Sequence, residues 1–173
     1  MNARANRSRG QALTEFALVA PVLFFLLLGI IDSTMLLFSI GSARFAAGEG
    51  ARQASESGNA ADADAQILLA VRRTALGQTK LATVNHVDIY RLVEQANGAL
   101  TVDNARYNTY RLDGTPVGAI NWPPPSRNVT NGQSDFLGIT INYTYSWKSG
   151  IFVSPNSLQL TQTYSIRLEP QTY

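Results

Sequence analysis

Arg9-Gly10-Gln11-Ala12-Leu13-Thr14-Glu15-Phe16, running on into an uncharged apolar stretch over residues 16–31, decides how the rest of the chain is read. A run of about 16 residues rising about 1.5 Å each covers about 24 Å, somewhat short of the roughly 30 Å hydrocarbon core of a bilayer. Residues 35–40 extend the apolar character beyond Asp32, so a transmembrane stretch is expected over residues 16–40. Arg4, Arg7 and Arg9 precede it, with no acid before Glu15. The positive-inside rule therefore predicts a cytoplasmic N-terminus, with everything after about residue 40 outside.

An ordinary secretory signal ends in a small-residue cleavage site beyond its apolar segment. Ser39-Ile40-Gly41 and Ala43-Arg44-Phe45 are weak versions of such a site, whereas Gly10 is a small residue at the cytoplasmic edge, within reach of a membrane peptidase. The cut is expected before the apolar segment. Glu15 sits at the edge of that segment, and a carboxylate costs about 2.5 kcal/mol or more toward the centre of a membrane helix, so it calls for a partner or a task. Its alternative role is complementing the helix dipole from the first turn. Asp32 lies about 25 Å further along the helix and is read as a solvated acid marking the membrane exit, in preference to an ion or proton site. Pro21 interrupts the helical hydrogen-bond ladder and is expected to kink it.

Beyond the membrane the helix is expected to continue to about Ser57, where Gly58-Asn59 ends it. Ala43, Ala47 and Ala51 recur every fourth residue, with Gly50 and Ala54 beside them, a small-residue stripe that lets another element approach closely. Either a seam inside the chain's own domain or a contact between subunits would use it. Arg52 and Glu56 are spaced as a surface pair.

Residues 58–173 are expected to form one head, with enough chain for a modest core. The 173 residues include no cysteine, which excludes a thiol nucleophile, a cysteine metal cluster and disulfides. A formal net charge of +2 with dispersed basic residues argues against nucleic acid as a partner. Ile67, Leu68, Val71 and Ala75 fall on one side of a helix predicted over 62–76, with Asp62 and Asp64 at its start, Arg72 and Arg73 near its end and Gly77 as its stop. From Val84 the period becomes two. A strand is predicted through His86 to Val93, followed by a hairpin at Asn97-Gly98. Ile139, Ile141, Tyr143, Tyr145 and Trp147 alternate with polar residues, and Leu158, Leu160, Tyr164, Ile166 and Leu168 repeat the pattern with Gln162 as its polar exception. The fold class is therefore α+β: a long N-terminal helix, a shorter second helix, and a roughly four-stranded antiparallel sheet on the outer half of the first helix.

Residues 103–135, rich in Asn, Gly, Pro and Tyr, read as a long loop, since Pro123-Pro124-Pro125 cannot join a sheet ladder. Its Tyr107, Tyr110 and Trp122 either cap the core or offer an adhesive surface. Catalysis finds little support: the lone His86 falls within a strand, and no phosphate loop, zinc spacing or nucleophile elbow is present. No cofactor or metal is expected.

Gly10 with Glu15-Phe16 after it, Leu18-Val19-Ala20-Pro21, Leu28-Gly29-Ile30-Ile31-Asp32 and Ala46-Ala47-Gly48-Glu49-Gly50-Ala51-Arg52 follow one another in order. In these features the chain resembles the TadE/TadF-like pilins of the tight-adherence (Tad) pilus, within the type IV pilus superfamily. The resemblance covers roughly residues 9–55. It implies that a prepilin peptidase removes residues 1–10 as a cytoplasmic leader, leaving Gln11 as the mature N-terminus. It also implies that Glu15, with Phe16 beside it, positions each incoming helix against a neighbouring subunit's new α-amino group, and that the helix can loosen at Pro21. Implied partners are other pilin subunits, the peptidase, an inner-membrane pilus assembly platform and membrane lipid. The implied location is the cytoplasmic membrane, then a surface filament. The head exceeds the very short major pilins, which favours a minor or priming subunit. The alternative is an uncleaved, single-pass accessory or ligand-binding protein.

Overall fold

α1 (Ala3–Ser57) runs without interruption into the head, passing through Pro21. The structure, a computed structural model, describes residues 3–150 and 156–169, with side chains from Gly10 onward. The side chains of Arg4, Arg7 and Arg9, on which the expected orientation rests, lie outside the described residues. After α1 come α2 (Ala63–Arg73), one further turn α3 (Ala75–Gln78), and strands β1 (Ala82–Glu94), β2 (Leu100–Tyr110), β3 (Phe136–Ser146) and β4 (Ser157–Arg167). The strands form one antiparallel sheet in the order β2-β1-β3-β4, two hairpins joined edge to edge through β1 and β3. This is the expected α+β arrangement, with the sheet and α2 against the outer half of α1.

One face of the sheet builds the core. Val87 and Ile89 of β1, with Leu137, Ile139, Ile141 and Tyr143 of β3, meet Ile67, Leu68 and Val71 of α2 and the alanines of α1. The opposite face is polar and internally bonded: Thr140 pairs with Thr163 (2.9 Å), Thr161 donates to Asn142 (3.1 Å), and Asn85 reaches Thr144 and Gln159 (3.0 Å each). Tyr90 stacks on Tyr107 at 5.2 Å on this face, and its ring lies where a side chain on Gly138 would stand.

Two boundaries and the place of one side chain differ from the sequence reading. β2 continues to Tyr110, so the loop occupies residues 111–135, and Tyr107 and Tyr110 belong to a strand. The strand is hidden in the sequence because β2 is an edge, where Asp103, Asn104 and Arg106 can face water. α2 stops at Arg73 because Thr74 turns extended (φ −76°, ψ 168°), its hydroxyl donating to the Val71 carbonyl at 2.7 Å. Gly77 then sits so close to the end of α2 that an added Cβ would lie 2.5 Å from the Arg72 carbonyl oxygen. Trp122 is 1% exposed, which removes it from any adhesive surface and makes it a cap on the core.

Candidate functional site

The site residues expected from the sequence lie along α1, and the helix divides at Asp32. No described side chain from Gly10 to Ile31 is buried. Leu18 is 76% exposed, and Phe24 and Phe25 are 62% exposed, so this face is left uncovered by the described residues. At its start, Thr14 Oγ1 donates to the Gly10 carbonyl (2.7 Å), and the Gln11 side-chain amide donates to Glu15 (3.1 Å). Gln11 and Glu15 therefore stand one above the other on one helix face, as four-residue spacing dictates. A Cβ at Gly10 would meet nothing within 4 Å, so the residue stands in open space. Phe16 is also exposed, and Gly29 accepts a hydrogen bond from Ser33 Oγ at 2.8 Å.

Asp32 is where the head begins to touch the helix. It has no exposed surface. Its carboxylate accepts the main-chain N–H groups of Lys148 (3.1 Å) and Ser149 (3.2 Å) and the Ser149 hydroxyl, while Tyr145 donates to its carbonyl at 3.2 Å. The reading of Asp32 as a solvated acid is therefore corrected: it is a clasp between α1 and the tip of the β3–β4 hairpin. Burial of the charge is compensated by several donors aimed at it.

Above the clasp one stripe of α1 is covered. Ser39, Ala43, Ala46, Ala47, Ala51 and Ala54 are buried. A Cβ at Gly50 would lie 3.0 Å from a Val71 methyl and 3.3 Å from Ile139 Cδ1, so α2 and the sheet press directly on the helix backbone there. The small-residue stripe is thus a seam within the chain. The opposite side stays open, with Leu37, Phe38 and Phe45 more than half exposed and Arg52 bridging Glu49 (3.1 Å) and Glu56.

The head is locked by a buried polar cluster that sequence reasoning missed. Asp64 of α2 pairs with Arg127 and accepts from the Tyr110 hydroxyl (2.7 Å) and the Asn108 amide (3.1 Å). Asn108 also bonds both ways with the Trp122 backbone, at 2.7 and 2.8 Å, and Arg127 lies 4.6 Å over the Trp122 ring. A second pair, Arg91 with Asp135 at 2.8 Å, fastens the far end of the same loop. Both clusters hold loop 111–135 to the sheet and carry no open cavity for a reactant. His86 Nε2 lies 3.6 Å from Asp88, which is taken up by Thr109 and Asn142. Among the described residues, no group of His, Cys, Asp and Glu side chains is placed to hold a metal ion.

α1, with a window of mean hydropathy 2.3 and no buried residue in it, is long and apolar enough to cross a membrane and carries an α+β head on its far half, an arrangement consistent with membrane anchoring. Residues 10–52 match the family model described as TadE-like protein, so over that segment the chain is similar to TadE-like proteins. The matched segment begins at Gly10, contains Glu15, Pro21 and Asp32, and ends at Arg52, inside the seam. No curated protein and no solved structure matches the chain.

Proposed function

We propose that the chain is a structural, non-enzymatic pilin-like subunit, minor or priming, that is processed after Gly10 and enters a Tad-type filament through the open half of α1. The observation that carries this reading is that no described side chain over residues 10–31 is buried, whereas one stripe of the outer half is docked against the head. A helix that bears Phe and Leu on every side is solvated by lipid first and by neighbouring helices afterwards. Glu15, one turn from Gln11, is placed to meet a cationic α-amino group once Gln11 becomes the N-terminus. The family is a pilus-associated structural one, which agrees with a head whose polar clusters serve packing.

In this reading the peptidase, the assembly platform and other pilins are the partners, the N-terminus is cytoplasmic and the head faces outward. The test is the intact mass and N-terminal sequence of membrane-extracted protein made with and without a prepilin peptidase. A peptidase-dependent start at Gln11 is expected. A chain still starting near Met1 in both preparations overturns processing and leaves an uncleaved anchored accessory protein. Glu15→Ala is expected to be cleaved yet excluded from filaments; normal incorporation would remove the assembly role of Glu15.

A further inference from the structure

We propose that residues 147–149, the described start of the turn between β3 and β4, form a membrane-contact surface at this tip of the hairpin, seated on phospholipid headgroups of the outer leaflet beside the point where α1 leaves the bilayer. The proposal rests on the membrane-spanning reading of residues 10–31 and adds a second point of contact to it. Its first support is distance along the helix. Residues 13–31 are about 19 residues that rise about 28 Å, close to the roughly 30 Å hydrocarbon core. The next residues are Asp32, Ser33 and Thr34, so the helix turns polar one step beyond that length.

At that level the clasp fixes the hairpin tip. Asp32 holds the amides of Lys148 and Ser149, so the tip cannot stand away from the helix where it leaves the apolar stretch. The side chains gathered there are those favoured at a membrane–water boundary. Trp147 packs edge-on against Tyr145 at 5.4 Å, and the Lys148 ammonium lies 5.9 Å from the Tyr145 ring and 3.3 Å from the Lys80 carbonyl. Lys80 and Lys148 are both exposed, so two lysines lie beside the tip with side chains open to solvent. Tyr145 is buried, which leaves the half-buried Trp147 and the exposed lysines as side chains of the kind that anchor at the interface.

Placing residues 16–40 in the hydrocarbon instead would draw the tip inward by about 13 Å. Asp32, Lys80 and Lys148 would then sit in apolar surroundings, where each charge costs up to about 3 kcal/mol at the centre. The shallower placement avoids that cost and turns the same lysines toward anionic headgroups.

The experiment uses the full chain in phosphatidylcholine vesicles with and without phosphatidylglycerol, with lipids brominated near the headgroup or near the chain end. The protein has two tryptophans, and Trp122 is buried in the head, so the emission lost in Trp147→Phe reports the tip. Shallow bromine is expected to cut that share roughly twofold, deep bromine far less, and the anionic vesicles are expected to give the stronger quenching. Replacing Lys80 and Lys148 by Gln should erase the difference between the two vesicle types. A Trp147 share untouched by shallow bromine overturns the proposal, and equal quenching in both vesicle types overturns the preference of the lysines for anionic headgroups. A polarity-sensitive dye on Leu23→Cys, in a chain without native cysteine, separates the two readings. Lipid around residue 23 with an unquenched Trp147 sinks only the hairpin contact, whereas water around residue 23 sinks the membrane span as well.

Discussion

The two halves of α1 are the same continuous helix, yet they solve opposite problems. From Gly10 to Ile31 the side chains are large and bare. From Asp32 to Ser57 the side facing the head is Ala, Gly and Ser, and it is buried. Large apolar residues on all sides suit a surround that is itself apolar and adjustable, lipid or other helices. Small residues suit one fixed neighbour at close range, because they let backbone and sheet approach without losing side-chain entropy. Size and cover, more than hydrophobicity, separate the part of the helix committed to its own head from the part left for others.

Asp64→Ala should break the docked half most severely. Arg127, fully buried, would keep its charge without its partner, and α2 and loop 111–135 would lose their common anchor. Removing one member of a buried pair costs about 3–5 kcal/mol. Urea unfolding of the detergent-solubilised protein, followed by tryptophan emission, should show a loss in that range. A cost near zero would mean that the head is held by apolar contact alone.

Gly50→Leu tests the close approach itself. Leucine raises helix propensity over glycine by up to about 1 kcal/mol, whereas overfilling a tight core costs about 1–3 kcal/mol. With Val71 and Ile139 already 3.0 and 3.3 Å from the position of the first added carbon, the second effect should win. The urea midpoint should fall. A rise would show that α2 can slide away from α1, and the contrast between the halves would lose its basis.

Local pattern made much of this comparison legible in advance. The apolar run announced α1, and the alternation of Ile139, Ile141, Tyr143 and Tyr145 placed the buried face of β3. Asn97-Gly98 marked its hairpin, where Gly98 takes φ +79°. The spacing of Gly10, Gln11 and Glu15 was likewise visible, because it is fixed within a single turn. Asp32 and Asp64 were read wrongly or too narrowly for one reason. Their partners lie 116 residues away at Lys148 and 63 away at Arg127, and no periodicity reports a hydrogen bond closed by tertiary folding. The polar residues of β2 concealed a strand because an edge can leave its side chains in water.

Raising the pH should loosen the head while leaving the open half untouched. All seven tyrosines lie beyond Ser57, and there is no titratable side chain over residues 16–31. Burial, reinforced by hydrogen bonding to Asp64, raises the Tyr110 hydroxyl above the ordinary tyrosine value. Burial and then Asp88 do the same for Tyr107. The unfolded chain therefore releases its phenolic protons first, and stability is complete below about pH 10 and drains as pH rises toward the folded-state values. Tyr110→Phe should cost about 1 kcal/mol at neutral pH through its lost hydrogen bond and should flatten the alkaline decline. An unchanged decline would assign it to the other tyrosines.

Leu27→Ala should have the smallest effect on the head and the clearest meaning for the comparison. Removing a buried leucine side chain costs about 2–5 kcal/mol because a cavity is left in a fixed surround. Leu27 is 46% exposed and precedes the first buried contact with the head, so no such cavity forms within the chain. The urea midpoint in detergent should stay where it is. Its cost should appear only where neighbours supply the missing surround, as weaker recovery of the variant in sheared filaments beside wild-type subunits. A lowered midpoint for the isolated protein would mean that the open half is already part of the folded unit, and the division of α1 at Asp32 would then fail.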